Sequence, residues 1–107
     1  MNLPYSITTQ TGTRIDFSFP LHDETGSPVQ VNQLVTRLLG ALDGEIRTLG
    51  EVSNGDVLQA LAITLAARAA MIEAPLASSV PLIEQLLGRA LRAASEGQRR
   101  QPTSGHA

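Results

Sequence analysis

Apolar and polar positions alternate along the first segment of the chain. Ile15, Phe17 and Phe19 fall on one side of an extended strand, with Arg14, Asp16 and Ser18 on the other. Upstream, Tyr5 and Ile7 share a parity, and Thr9-Gln10-Thr11-Gly12-Thr13 supplies the residues a tight turn needs. The pattern predicts a β-hairpin across roughly residues 5–19. Two strands are marginal alone, so the Ile/Phe face must cover a helix or extend another sheet. An open strand edge is also a place where a second chain can add strands. Pro20, Gly26 and Pro28 then punctuate a loop over residues 20–28.

The period next becomes helical. Val31, Leu34, Val35, Leu38, Leu39, Leu42, Ile46 and Leu49 recur at steps of three and four, predicting a helix from Val29 or Val31 to Leu49 with Gly50 as its stop. Gly40 and Gly44 share a face of it, either incidentally or to admit a close helix. A second helix opens on Ser53-Asn54-Gly55-Asp56, where Ser53 is the N-cap and Asp56 stands at the capping-box position. It runs to about Glu73, and Pro75 closes it. A third helix starts near Ser79-Val80-Pro81 and carries Ile83, Leu86, Leu87, Ala90, Leu91 and Ala94 on its apolar side. From Glu96 onward no apolar period remains. The expected architecture is mainly α: one domain over residues 1–95 with the hairpin at its N-terminus, three helices, and a disordered tail over residues 96–107.

The second helix is the unusual one. Between residues 57 and 72 only Gln59, Thr64 and Arg68 carry strongly polar or hydroxyl side chains. Its apolar positions go most of the way round, more than one hairpin and two amphipathic helices can cover. Small residues at Ala60, Ala62, Ala66, Ala67, Ala69, Ala70 and Ala74 would let another backbone come close. The economical expectation is a helical homodimer joined through Leu58, Ala62, Leu65, Ala66 and Ala69, the alternative being that the first and third helices wrap the second completely. Arg68 either meets a carboxylate or carbonyl in that interface or marks a solvent strip shared with Gln59 and Thr64.

Composition narrows the function classes. The 107 residues contain three aromatic side chains, so the core must be aliphatic. Net charge is −2, which gives no general attraction to nucleic acid or anionic membranes. Residues 1–60 hold three Arg against seven acidic residues and residues 61–107 five Arg against three, an asymmetry that could orient a partner. All basic residues are Arg, as GC-rich bacterial coding produces. Without cysteine there is no disulfide or thiolate metal site. The N-terminus shows no signal-peptide pattern, and the apolar run at 57–72 is too short to span a membrane, so a cytoplasmic setting is expected.

Candidate chemistry is thin. His22-Asp23-Glu24 is the one cluster resembling a ligand set, but consecutive residues do not converge on a single metal, and a solvated loop accounts for them. His106 lies in the tail. Ser78-Ser79 and Thr8-Thr9 have no plausible base, no phosphate-binding glycine loop is present, and no carboxylate pair suggests acid–base work. Arg89 and Arg92 with Arg99 and Arg100 could touch phosphate, but solubilising charge explains them as well. The expectation is a non-enzyme with no cofactor, metal, small-molecule substrate, nucleic acid or membrane partner.

The order of hairpin, acidic loop FPLHDE, helix LLGALDGEIR and helix DVLQALAITLA resembles the head domain of the bacterial division protein ZapA over about residues 5–72. That resemblance implies a dimer or tetramer cross-linking a tubulin-like filament through basic residues of the head. Pro75, Pro81 and a short third helix depart from the long coiled coil of that family. In size, acidity and absence of cysteine, the chain is also similar to small helical dimeric antiactivators of the QslA type, which occupy the dimer surface of a quorum-sensing transcription factor. The expected function is accordingly a regulatory homodimer that sequesters an unidentified protein, an antiactivator or adaptor, with Leu82, Leu86 and Leu87 lining the binding face.

Overall fold

The structure, a computed structural model, describes residues 1–102; His106 lies outside them. Strands β1 (Asn2–Thr8) and β2 (Arg14–Pro20) are followed by helices α1 (Pro28–Leu49), α2 (Asn54–Ala70) and α3 (Leu76–Ser95) and by a third strand, β3 (Gln98–Arg100). The expected hairpin and three helices are therefore present. The chain divides into two units, one formed by residues 1–32 with the segment from 85 onward, the other by residues 33–84.

In the first unit an antiparallel sheet is ordered β1-β2-β3. Pairing runs from Asn2 opposite Pro20 to Thr8 opposite Arg14, so the hairpin begins three residues earlier than its alternation suggested. Pro4 hid that extension. Leu21 N–H donates to the Met1 carbonyl and Thr9 N–H to the Thr13 carbonyl, so the odd-numbered residues of β1 bond to β2 and the even-numbered ones point to the open edge. Pro4 is even, and its missing N–H falls where no ladder bond is lost. The turn is held by Gly12 N–H donating to the Thr9 carbonyl at 2.9 Å, and Gly12 has φ of +86°, a conformation that glycine adopts without a Cβ penalty. Leu3, Tyr5, Ile7, Ile15, Phe17 and Phe19 share the apolar face as the alternation required. Leu3 and Ile15 are buried, and the rings of Phe17 and Phe19 stack with centroids 5.0 Å apart.

The expected tail from Glu96 is corrected by β3. Turn bonds from the N–H groups of Glu96 and Gly97 close α3, and Gln98–Arg100 then pair antiparallel with Arg14–Asp16. Gly97 makes this return possible. A Cβ there would lie 2.8 Å from two ring carbons of Phe17 and 3.1 Å from Ile15, so only a bare backbone fits. Further along, buried Thr13 donates its hydroxyl to the Gln101 side-chain oxygen at 3.1 Å.

The helices follow their caps. The Ser27 hydroxyl accepts from Gln30 N–H and Pro28 takes the first helical position, which starts α1 slightly before the expected Val29. It ends at Gly50, with φ of +89°. The Ser53 hydroxyl accepts from Asp56 N–H at 3.1 Å, as the sequence predicted. α2 stops at Ala70 rather than near Glu73, because Met71 and Ile72 N–H groups turn back onto carbonyls three residues behind and tighten the end. α3 starts at Leu76 rather than Ser79, with Pro81 inside it. Its missing N–H removes one bond, to the Ala77 carbonyl, while the Ser78 N–H to Pro75 carbonyl bond at 2.9 Å launches the first turn.

Candidate protein-binding surface

Within residues 33–84 no helix lies close against another. The consequence falls hardest on α2. Leu58 is 67% exposed, Ile63 60%, Leu61 44% and Leu65 42%, and Ala62 and Ala66 are open as well. Ala69 differs. It is 5% exposed within its own chain, so of the five residues expected to join two copies it is the one already covered.

At 100° per residue these side chains sort into two faces. Leu58, Leu61, Ala62, Leu65 and Ala69 form a leucine face. Ala60, Ile63, Ala67 and Ala70 form an alanine face roughly opposite. Thr64 adds little polarity, because its hydroxyl donates to the Ala60 carbonyl at 2.7 Å and leaves the methyl outward. Arg68 is exposed, one turn beyond Thr64. Gln59 does not join them in one strip, since five residues separate it from Thr64, about 140° round the helix. A helix apolar on opposite sides is the pattern of a buried helix, and here it stands uncovered.

The other two helices add to the surface. On α1, Leu34, Leu38 and Leu49 are exposed while Val35, Leu42 and Ile46 are half-buried. On α3, Leu82, Leu86 and Leu87 are each between 41% and 46% exposed, with Leu82 and Leu86 one turn apart on a ridge and Leu87 beside it. The residues expected to meet a target are thus at the surface.

Polar chemistry gathers elsewhere, on the outer face of the sheet. The Asp16 carboxylate accepts from the Ser6 hydroxyl at 2.6 Å and from Arg14 Nε at 2.8 Å, with Arg100 Nε 3.5 Å from its second oxygen. The Ser6 hydrogen bond, then Arg14 and more weakly Arg100, hold its pKa below the ordinary aspartate value, with desolvation opposing them. Sequence reading placed Asp16 and Arg14 on one strand face but missed Arg100, because QRR carries no apolar alternation. Charge complementarity to Asp16 was its one available signal. Beside this face an open groove of about 350 Å³ is lined by Asn2, Ser18, Pro20, Arg89, Arg92, Ala93 and Glu96. Arg89 and Arg92 line that groove, while Arg99 and Arg100 lie on β3, opposite Ile15 and Arg14.

The loop cluster His22-Asp23-Glu24 folds on itself, with His22 Nδ1 accepting from Glu24 N–H at 3.1 Å. Among the described residues no three His, Asp or Glu side chains converge as a metal site would require, and no helix is long and apolar enough to cross a membrane. What the geometry defines is an α-rich chain with a small antiparallel sheet and an uncovered aliphatic helical surface. No protein family, curated protein or solved structure matches it.

Proposed function

We propose that this chain is a non-enzymatic regulatory protein that acts as a homodimer and binds another protein through aliphatic helix surface. One observation carries the reading: leucine, isoleucine and valine side chains of the helices stand open to solvent, and within residues 33–84 no helix packs on another. A surface of this kind on a free chain marks a protein interface. The leucine face of α2, with Leu58, Ala62 and Leu65 and with Ala66 at its edge, is assigned to self-association. The ridge of Leu82 and Leu86 with Leu87 on α3 is assigned to the target, as a helix face laid against an apolar groove. In this role the protein sequesters its target, as an antiactivator or adaptor does. Bundling of a filament-forming target, the activity implied by the ZapA resemblance, is the competing outcome.

The test is a comparison of the full chain with Leu86→Asp. The wild-type dimer should form a stoichiometric complex with one soluble target and dissolve that target's own oligomer. Leu86→Asp should remain dimeric, keep its melting temperature and lose the target. A target that sediments as bundles in the presence of the wild-type chain would replace sequestration by assembly. A target retained equally by Leu86→Asp would remove α3 from the interface.

A further inference from the structure

The groove between the C-terminal half of α3 and the end of the hairpin has a volume of about 350 Å³, within the size range of small-molecule sites. Every residue that lines it belongs to the sheet-containing unit. Arg89, Arg92 and Ala93 recur at steps of three and four along one side of α3, and Glu96 continues the row just past the helix end. Asn2 and Pro20, cross-strand partners at the end of the hairpin, form the other wall with Ser18. Ala93 is buried, and its side chain is small enough to leave the space open.

Charge in the groove is not balanced from within. Among the described residues the ion pairs are those of Asp16 with Arg14 and Arg100, so no carboxylate neutralises Arg89 or Arg92. Two like charges one turn apart repel, and both gain from an anion held between them. Glu96 stands one turn beyond Arg92, beside the carbonyl end of α3, where a helix favours positive charge. The groove thus offers two cationic positions followed by one anionic position, with an amide and a hydroxyl on the opposite wall.

We propose that this groove binds an acidic α-amino acid, a molecule with two carboxylates and one ammonium, in a fixed direction. The carboxylates bond to Arg89 and Arg92, whose planar guanidinium forks suit them, and the ammonium lies toward Glu96 and the carbonyl end of α3. Asn2 and Ser18 serve the remaining polar atoms as neutral donors and acceptors. This arrangement discriminates among anions. Phosphate or a plain dicarboxylate satisfies the arginines but brings Glu96 negative charge and no ammonium. A side-chain amide in place of the second carboxylate leaves one guanidinium unpaired. The inference goes beyond the protein-binding reading and uses none of the leucines assigned to contacts, so either can fail alone.

The groove is open and its charged side chains are exposed, so the dissociation constant expected is on the order of 1 mM. The probe is L-glutamate, titrated at neutral pH and low ionic strength into the full isotope-labelled chain, with backbone amide and arginine Nε–H resonances followed by NMR. Saturable shifts should appear at Asn2, Ser18, Arg89 and Arg92. Glutarate, which lacks the ammonium, and L-glutamine, which lacks the second carboxylate, should each bind about fivefold more weakly, the worth of one exposed charge pair. Arg89→Gln and Arg92→Gln should each lose about the same factor at an unchanged melting temperature, because both side chains are exposed. Glu96→Gln should bind glutarate as well as it binds L-glutamate. Equal binding of inorganic phosphate, glutarate and L-glutamate by the wild-type chain would make the groove a general anion patch and overturn the proposal. So would the absence of a saturable shift at the groove, or binding that both arginine variants keep in full.

Discussion

Replacing Ala66 with glutamate separates a free α2 from a covered one by several kcal/mol. In the isolated chain Ala66 is exposed, near the middle of the helix. A substitution at such a site is worth about 0.5 kcal/mol at most, and glutamate is nearly as good a helix former as alanine. The positions one turn away on either side are Ala62, Ile63, Ala69 and Ala70, so the new carboxylate finds no cationic partner in its own helix. In a dimer closed through the leucine face, with Ala66 at its edge about 40° round from Ala62, that carboxylate is buried and unpaired. A pKa raised by about three units corresponds to about 4 kcal/mol per chain, hence about 8 kcal/mol per dimer. That weakens association by about six orders of magnitude, enough to dissociate any dimer of nanomolar affinity at working concentrations. Sedimentation velocity and far-ultraviolet circular dichroism on Ala66→Glu should therefore show a loss of dimer together with a loss of helix. The control is Thr64→Glu, which places the same charge one turn before Arg68 in the favourable order and should leave the dimer intact. If Ala66→Glu matches the wild type in mass and melting temperature, α2 is a solvent-facing helix and the interface assignment is wrong.

Three further changes probe the parts of the fold. Ser53→Ala removes the hydroxyl that accepts from Asp56 N–H and should destabilise by about 1 kcal/mol in chemical denaturation, with Ser53→Thr recovering most of it. Gly97→Ala drives a methyl into Phe17 and Ile15 and should cost about 1–3 kcal/mol while exposing β3 to hydrogen exchange; an unchanged melting temperature would mean that the Phe17 ring swings aside freely. Asp16 has a folded pKa below its unfolded value near 4, so its stabilising contribution is complete above that value and is lost as pH falls through the depressed one. Asp16→Asn should lower stability at neutral pH and flatten its fall below about pH 4, measured by thermal melts across that range.

The helices were legible because their signals are local. Ser53 and Asp56 announced α2 correctly, and the stripe from Val31 to Leu49 announced α1, with Ser27-Pro28 marking its true start. Prolines misled in both directions. Pro4 was an obstacle only if β1 lay inside the sheet, and the sequence does not reveal which edge is free. Pro81 reads as a helix start, yet it sits inside α3 because one missing hydrogen bond near the N-terminal end is tolerated. β3 was illegible for a different reason. Gln98-Arg99-Arg100 has no apolar residue, and its strand is set by Gly97 against Phe17 and by Arg100 beside Asp16, pairings eighty and eighty-four residues apart in the chain. The excess of apolar surface on α2, by contrast, could be read directly, since composition alone shows when a helix has no polar side. What composition could not show was that α1 and α3 leave it uncovered.

Burial is divided unequally between the two units. Leu3, Ile15 and Ala93 are buried in the sheet-containing unit, which closes its own core with Gly97 and Thr13. Residues 33–84 bury only Ala69 among their apolar side chains, yet they contain all of α2 and most of α1. They also hold three Arg against six acidic residues, so two copies repel weakly and the apolar contact must outweigh that repulsion. On the homodimer reading proposed above, a second copy covers what residues 33–84 leave open, because an aliphatic surface of that kind is a liability on a free chain.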